Sequence, residues 1–261
     1  MNYHFCAKTD PGRARDNNED SVVFDEDTDI AILADGMGGY NAGEIASGMA
    51  TAFIKSELSR WLAEAGHGAK PREVRRAMEI CVDNANLSIF NSANSNAHYA
   101  GMGTTLVVAA FRDDLLLIGH IGDSRCYRMR AGVLEQITKD HSLLQEQMDA
   151  GLITQEQAAT STIKNLVTRA LGVEETVLLE VNEYPVEVGD IYLMCSDGLS
   201  DMVEDPAIAK IVCSDAELDQ KAVQLVDEAN ANGGRDNISV LLVEVSEATE
   251  KRGLIARLLG K

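Results

Sequence analysis

The stretch Ile32-Leu33-Ala34-Asp35-Gly36-Met37-Gly38-Gly39 begins as a buried strand and ends in an acid followed by three glycines in four residues. The chain repeats the device in "LLLIGHIGDSR" (Leu115–Arg125) and in "IYLMCSDGLSD" (Ile191–Asp201). Each apolar run stops at an aspartate: Asp35, Asp123 and Asp197. A fourth acid, Asp236, stands just before the last apolar run, and "RDNNED" places Arg15, Glu19 and Asp20 just before the first. Any one Asp-Gly pair reads as ordinary turn chemistry. Several acids converging on strand ends read differently, because buried carboxylates without a partner are costly and call for a compensating positive charge. All-oxygen ligands suit the hard divalent cations Mg²⁺ and Mn²⁺ rather than Zn²⁺. The glycine after Asp35 leaves room for a backbone carbonyl, that of Gly36, to approach such an ion.

Working outward, strands are expected at 21–24, 30–34, 104–111, 115–121, 125–129, 133–136, 178–184, 191–195 and 238–245. Tight turns at "RDD" (Arg112–Asp114) and "RAG" (Arg130–Gly132) make hairpins and therefore antiparallel sheet. Two long helices intervene. One runs from Ala42, with Ile45, Met49, Phe53, Ile54, Leu58, Trp61 and Leu62 at helical spacing. The other opens at Pro71, with Val74, Ala77, Met78, Cys81, Ala85 and Ile89 on one face. A third helix is marked by Leu218, Ala222, Leu225, Val226 and Ala229, and the glycines of "NGGRDN" stop it. All these apolar stripes read as core. The segment 141–171 is a polar, helix-prone surface insertion of the kind that often carries specificity. The economical organisation is one domain over 1–247, followed by a basic amphipathic tail at 248–261.

The net charge of −19 over 261 residues argues against nucleic acid as a partner. An apolar fraction of 45% is ample for a core. Five cysteines without regular spacing read as free thiols in a reducing compartment. The N-terminus lacks a signal-peptide pattern, and no apolar run has transmembrane length, so a cytoplasmic protein is expected. No cysteine begins a Cys-x5-Arg phosphate loop, and neither a Gly-x-Ser-x-Gly elbow nor a Gly-x4-Gly-Lys loop occurs. The five histidines form no metal-ligand spacing.

Seven short motifs occur in a fixed order: "TDPGRARDNNEDS" (Thr9–Ser21), "ADGMGG" (Ala34–Gly39), "GMGTT" (Gly101–Thr105), "IGDSR" (Ile121–Arg125), "TKDHS" (Thr138–Ser142), "CSDGLSD" (Cys195–Asp201) and "GRDNIS" (Gly234–Ser239). Together, over nearly the whole chain, they resemble the metal-dependent protein phosphatases of type 2C in their bacterial form. The resemblance implies an α+β fold, a four-layer α-β-β-α sandwich of two mainly antiparallel sheets packed face to face with helices on both outer sides. It implies two Mn²⁺ or Mg²⁺ ions bridged by Asp35, with the Gly36 carbonyl, Asp197 and Asp236 completing their shells. A third, weaker ion is implied near Asp123. Glu19 and Asp20 would act through water, and Arg15 would grip the substrate phosphate.

The chemistry so implied is hydrolysis of protein phosphoserine and phosphothreonine by a hydroxide shared between two ions, with no phosphoenzyme. The implied partners are phosphorylated proteins and a cognate Ser/Thr kinase, and the implied state is a monomer. Two other readings stand beside it: a regulatory phosphoprotein-binding relative without activity, and a phosphatase of small-molecule phosphoesters. Met37 and Tyr40 occupy positions where relatives carry histidine, which leaves the proton donor to the leaving group open. His141 is expected to be structural, and the insertion 141–171 corresponds to the family's flap beside the active site.

Overall fold

The structure, a computed structural model, describes residues 1–38, 42–66, 68–159, 161 and 166–248. Tyr40, His67, part of the 141–171 insertion and the tail from residue 249 lie outside the described residues. The two sheets are built from β1 (Asn2–Asp10), β2 (Asp20–Asp25), β3 (Ile30–Met37), β4 (Gly103–Thr104), β5 (Leu106–Arg112), β6 (Leu115–Ile121), β7 (Arg125–Arg130), β8 (Val133–Gln136), β9 (Glu180–Pro185), β10 (Ile191–Cys195) and β11 (Ile238–Ser246). One sheet has the order β1-β11-β10-β7-β8 and the other β2-β3-β5-β6-β9, with β4 paired to β3. The paired strands run antiparallel.

The period-two alternation of the strands sorts their side chains into three apolar layers. In β3, Ile30, Ile32 and Ala34 face one helical layer, while Ala31 and Leu33 face the opposite sheet. In β11, Val240 and Leu242 face the other helical layer, while Leu241, Val243 and Val245 meet the inter-sheet core around Phe111 and Tyr192. Helices α1 (Ala42–Ala65) and α2 (Pro71–Ser95) cover the β3 sheet. Helices α6 (Asp205–Val212) and α7 (Leu218–Ala231) cover the β11 sheet. The result is the α-β-β-α sandwich that the family resemblance implies.

Both predicted hairpin turns are present, with positive φ at Asp113 in one and at Ala131 and Gly132 in the other. Three features differ from the sequence reading. Strand β1, which pairs with β11 along its whole length, is not signalled by the polar string "NYHFCAKTD". It is an edge strand, with only Cys6 buried, so its pattern lacks a clean apolar alternation. Helix α6 is also unanticipated. In α1, the buried stripe is Ala42, Ala46, Ala50, Ile54, Leu58 and Leu62, whereas Ile45 is exposed. Small alanines let this helix approach β3 closely, and the larger Ile45 is turned outward.

The 141–171 insertion contains α3 (Leu143–Asp149) and α4 (Gln155–Ala159). Its stem closes on itself. Ser142 bridges Val167, the Leu143 amide donates to the Leu166 carbonyl at 2.9 Å, and the Thr168 amide donates to the His141 carbonyl at 2.9 Å. Among the described residues, no helix is long and apolar enough to cross a membrane. Cys6, Cys81, Cys126, Cys195 and Cys213 are all free thiols, and only Cys213 is exposed.

Candidate active site

The acids meet because strand ends from both sheets converge. Asp35 is not in a turn: it lies within β3, directly opposite Asp20 of β2. Its amide donates to Thr105 Oγ1 at 3.0 Å, and its carbonyl accepts from the Thr105 amide and from Thr104 Oγ1, both at 2.8 Å. These bonds fix the backbone on both sides of the carboxylate. Gly36 follows with its amide on the Glu19 carbonyl at 3.1 Å. A β-carbon on Gly36 would lie 2.2 Å from the Gly43 carbonyl oxygen, at the start of α1, so only glycine fits.

Asp197 is placed by a different device. The sequence reads it as lying just past a strand, and it opens the short helix α5 (Asp197–Ser200), with Ser196 as its N-cap. Gly198 packs against the Asn237 backbone, where a β-carbon would meet the carbonyl oxygen at 1.9 Å. The other side of the site is tied by Asn237, which the sequence reading does not single out. Its Oδ1 accepts from the Glu19 amide at 2.8 Å, and its Nδ2 donates to the carbonyls of Asn17 at 2.8 Å and Pro11 at 3.1 Å. One buried side chain thus joins the "RDNNED" loop to the start of β11 and holds Glu19 beside Asp236.

Arg15, Glu19, Asp35, Gly36, Asp123, Asp197 and Asp236 line one cavity of about 290 Å³. Met37, Gly38, Thr105, Val167 and Asn237 complete its wall. Asp20 is the exception among the sequence candidates: it does not line this cavity, although it lies buried on the same sheet face as Asp35. Its Oδ2 accepts from Ser196 Oγ at 2.8 Å, while its Oδ1 is buried with no hydrogen-bond partner. Arg15 crosses the mouth and donates to Asp236 Oδ2 at 2.8 Å, and this contact raises its pKa further.

Burial and mutual repulsion push these carboxyls upward. Burial, then Asp20, Asp197, Asp123 and Asp236, holds Asp35 well above the usual carboxylate range. Burial, then Asp123, Asp201, Asp236 and Asp20, does the same to Asp197. Burial raises Asp20 to about 6, opposed by hydrogen bonds from Ser239 and Ser196. Burial and Asp140 raise Asp123 to about 6. A pocket of acids that raise one another is a strong field for a cation. The donors are all oxygen, and a buried Asp20 oxygen lacks a partner, so the residues present fit hard divalent ions.

His120 and His141 behave as structural groups. His120 and His141 stack with centroids 4.6 Å apart, and Glu180 lies beside them. This grouping has three ligand-type atoms within 4.8 Å of one another, and the sequence spacing gives no hint of it. Its hydrogen bonds assign other work. His120 Nε2 donates to the Lys139 carbonyl at 2.7 Å. His141 Nδ1 accepts from the Gly122 amide at 3.1 Å, so the neutral ring carries its proton on Nε2, 3.3 Å from Glu180 Oε2. The Arg169 guanidinium, 3.2 Å from the same Nε2, disfavours a second cation there. Among the described residues, no histidine lines the acidic cavity.

The model of the family described as "Protein phosphatase 2C" matches residues 13–233. The serine/threonine phosphatase stp of Listeria innocua is 38% identical over 244 residues, covering 92% of this chain and 95% of that protein. The protein phosphatase PhpP of Streptococcus pneumoniae is 38% identical over 247 residues, covering 92% and 96%. Among solved structures, the Mycobacterium tuberculosis serine/threonine phosphatase PstP/Ppp superposes with a TM-score of 0.85 at 36% identity, over 95% of this chain and 100% of that one. The catalytic domain of PstP in complex with two manganese ions superposes with a TM-score of 0.82 at 35% identity, over 94% and 99%. With cavity, motifs and fold in agreement, the chain belongs to the protein phosphatase 2C family.

Proposed function

We propose that the acidic cavity is the catalytic centre of a metal-dependent protein serine/threonine phosphatase. The observation that carries this reading is the convergence of Asp35, Asp123, Asp197 and Asp236, from four separate parts of the chain, on one cavity whose mouth holds Arg15. Mn²⁺ or Mg²⁺ would be held by Asp35, the Gly36 carbonyl, Asp197 and Asp236, with Asp123 beside a further, weaker position and Glu19 and Asp20 acting through water. When bound, such ions lower the pKa of water towards neutrality and supply the nucleophile for attack on phosphorus.

The chain's own residues do the rest. Arg15 presents a planar fork that binds two phosphate oxygens and offsets charge developing on them. Thr104 and Thr105 hold the Asp35 backbone, so that its carboxylate is aimed before any ligand arrives. The wall offers no cysteine or serine nucleophile among the described residues. Direct displacement without a phosphoenzyme agrees with that.

The substrates are phosphorylated proteins. A cognate Ser/Thr kinase, a monomeric state and a cytoplasmic location extend the reading, as does a catalytic domain over 1–247 with a flap at 141–171 and a basic tail at 248–261. The test is hydrolysis of a phosphothreonine peptide with Mn²⁺ and with EDTA. Turnover that requires the ion is expected, and metal-independent turnover contradicts the assignment.

A further inference from the structure

A second cavity, of about 660 Å³, opens beside the acidic one. Met37 and Val167 line both, so the two adjoin across a shared wall. Its chemistry is different. Carboxylates and Arg15 dominate the acidic cavity, whereas this one is lined by Met37, Val167, Val173, Val177 and Leu178 together with polar residues that include Arg169 and Glu174. Val173 and Leu178 are 55% and 73% exposed, so their apolar surfaces are open to an incoming chain.

The segment that presents them is held in place. Buried Asn86 of α2 donates from Nδ2 to the carbonyls of Glu174 at 3.0 Å and Glu175 at 3.1 Å, and its Oδ1 accepts from the Gly172 amide at 2.7 Å. Leu171 exchanges two backbone bonds with Thr104, at 2.8 and 3.1 Å. Gly172 has φ of 81°, and a β-carbon there would lie 2.2 Å from Ile89 Cγ2. Thr104 is also the residue that holds the Asp35 carbonyl. The apolar wall and the acid at the centre of the site are therefore fixed through one residue.

We propose that this cavity is a substrate subsite that takes an apolar side chain flanking the phosphorylated serine or threonine. The inference rests on the phosphatase reading above, because the phosphate in the acidic cavity is what delivers the neighbouring residue to the shared wall. A volume of this size suits one or two side chains. Its preorganised wall means that little ordering is required on binding. Specificity is thereby split: the acids and Arg15 take the phosphate of any substrate, and Val173 and Leu178 distinguish its neighbours.

The test compares two phosphothreonine peptides, one with leucine and one with serine at both positions next to the phosphothreonine. They are assayed with Mn²⁺ on the wild type and on the variants Leu178→Ser and Val173→Ser, together with p-nitrophenyl phosphate. The wild type is expected to favour the leucine peptide in kcat/KM by about tenfold, the scale of one apolar contact. Each variant is expected to lose most of that ratio while hydrolysing the serine peptide at the wild-type rate. An equal rate on both peptides in the wild type overturns the proposal, and so does an undiminished ratio in the two variants. Failure of all three substrates in the wild type instead overturns the phosphatase reading itself.

Discussion

Asp20 and Asp35 face each other directly across the β2–β3 ladder. Like charges at such a position destabilise a sheet, and here both acids are also raised by burial. Among the described residues, no basic side chain lines the cavity beyond Arg15 at its mouth. The pair makes sense as a site in which a cation completes the structure.

Removing one acid should therefore separate stability from activity. Without metal, Asp35→Asn is expected to melt at a higher temperature than the metal-free wild type, because repulsion at the cavity is relieved. With Mn²⁺ it should lose at least about a hundredfold in kcat. It should also lose the ligand stabilisation of the wild type, about 2.7 kcal/mol at a hundred times the dissociation constant. Thermal melts with and without EDTA, paired with phosphopeptide assays, check both.

In the proposed role, Arg15 grips phosphate through two parallel donors, a geometry that lysine does not reproduce. Arg15→Lys is expected to raise KM for phosphopeptide about tenfold or more while leaving Mn²⁺ affinity near the wild-type value. A matched loss in Mn²⁺ affinity would show that the Asp236 contact, rather than phosphate, is its main role.

His141 and Gly122 clasp each other: the Gly122 amide donates to His141 Nδ1, and the His141 amide donates to the Gly122 carbonyl at 2.8 Å. Asp123 is the next residue. His141→Ala removes the side-chain half of the clasp, worth about 1 kcal/mol. The Mn²⁺ concentration for half-maximal activity is expected to rise several-fold. His141→Asn, whose amide oxygen can accept the same N–H, should recover most of it. Equal behaviour of the two variants would remove the clasp from the account.

Asp190 provides a test of pH dependence away from the site. It is buried, which raises its pKa, but Arg130, the Glu187 amide and Tyr192 outweigh burial and hold it below the usual value of 3.8. Arg130 reaches it through two bonds of 2.7 and 2.6 Å. A carboxyl depressed in the folded state contributes stability that is complete above its unfolded pKa and lost as pH falls through the folded one. Asp190→Asn should cost on the order of 2 kcal/mol at neutral pH. As the pH falls below 3.8 the gap to the wild type should narrow. Chemical denaturation at a series of pH values measures it.

The sequence carries the architecture where burial leaves a period. Strands β6, β8 and β10 match their expected bounds because both faces are buried or a turn with positive φ closes them. Strand β1 is missed because an edge strand exposes its alternate side chains. The site is legible through its acids, since each follows or precedes an apolar run. What holds those acids is not. Asn237, Thr105, Ser196 and the Gly122–His141 clasp act through hydrogen bonds between residues far apart in the chain, and local sequence shows nothing of that. Asp20 shows the same limit. Its place in the "NED" string suggests a role like that of Glu19, but Glu19 lines the cavity, whereas Asp20, on the sheet face it shares with Asp35, is buried beside it and does not.

The most direct test of the central claim is the anomalous X-ray difference map of crystals grown with Mn²⁺. The account predicts two strong peaks roughly 3.5–4 Å apart, bridged by the Asp35 carboxylate, with Asp197, Asp236 and the Gly36 carbonyl among their ligands. Peaks beside His120, His141 and Glu180 with none at Asp35, or no peaks in a crystal of active enzyme, would contradict it.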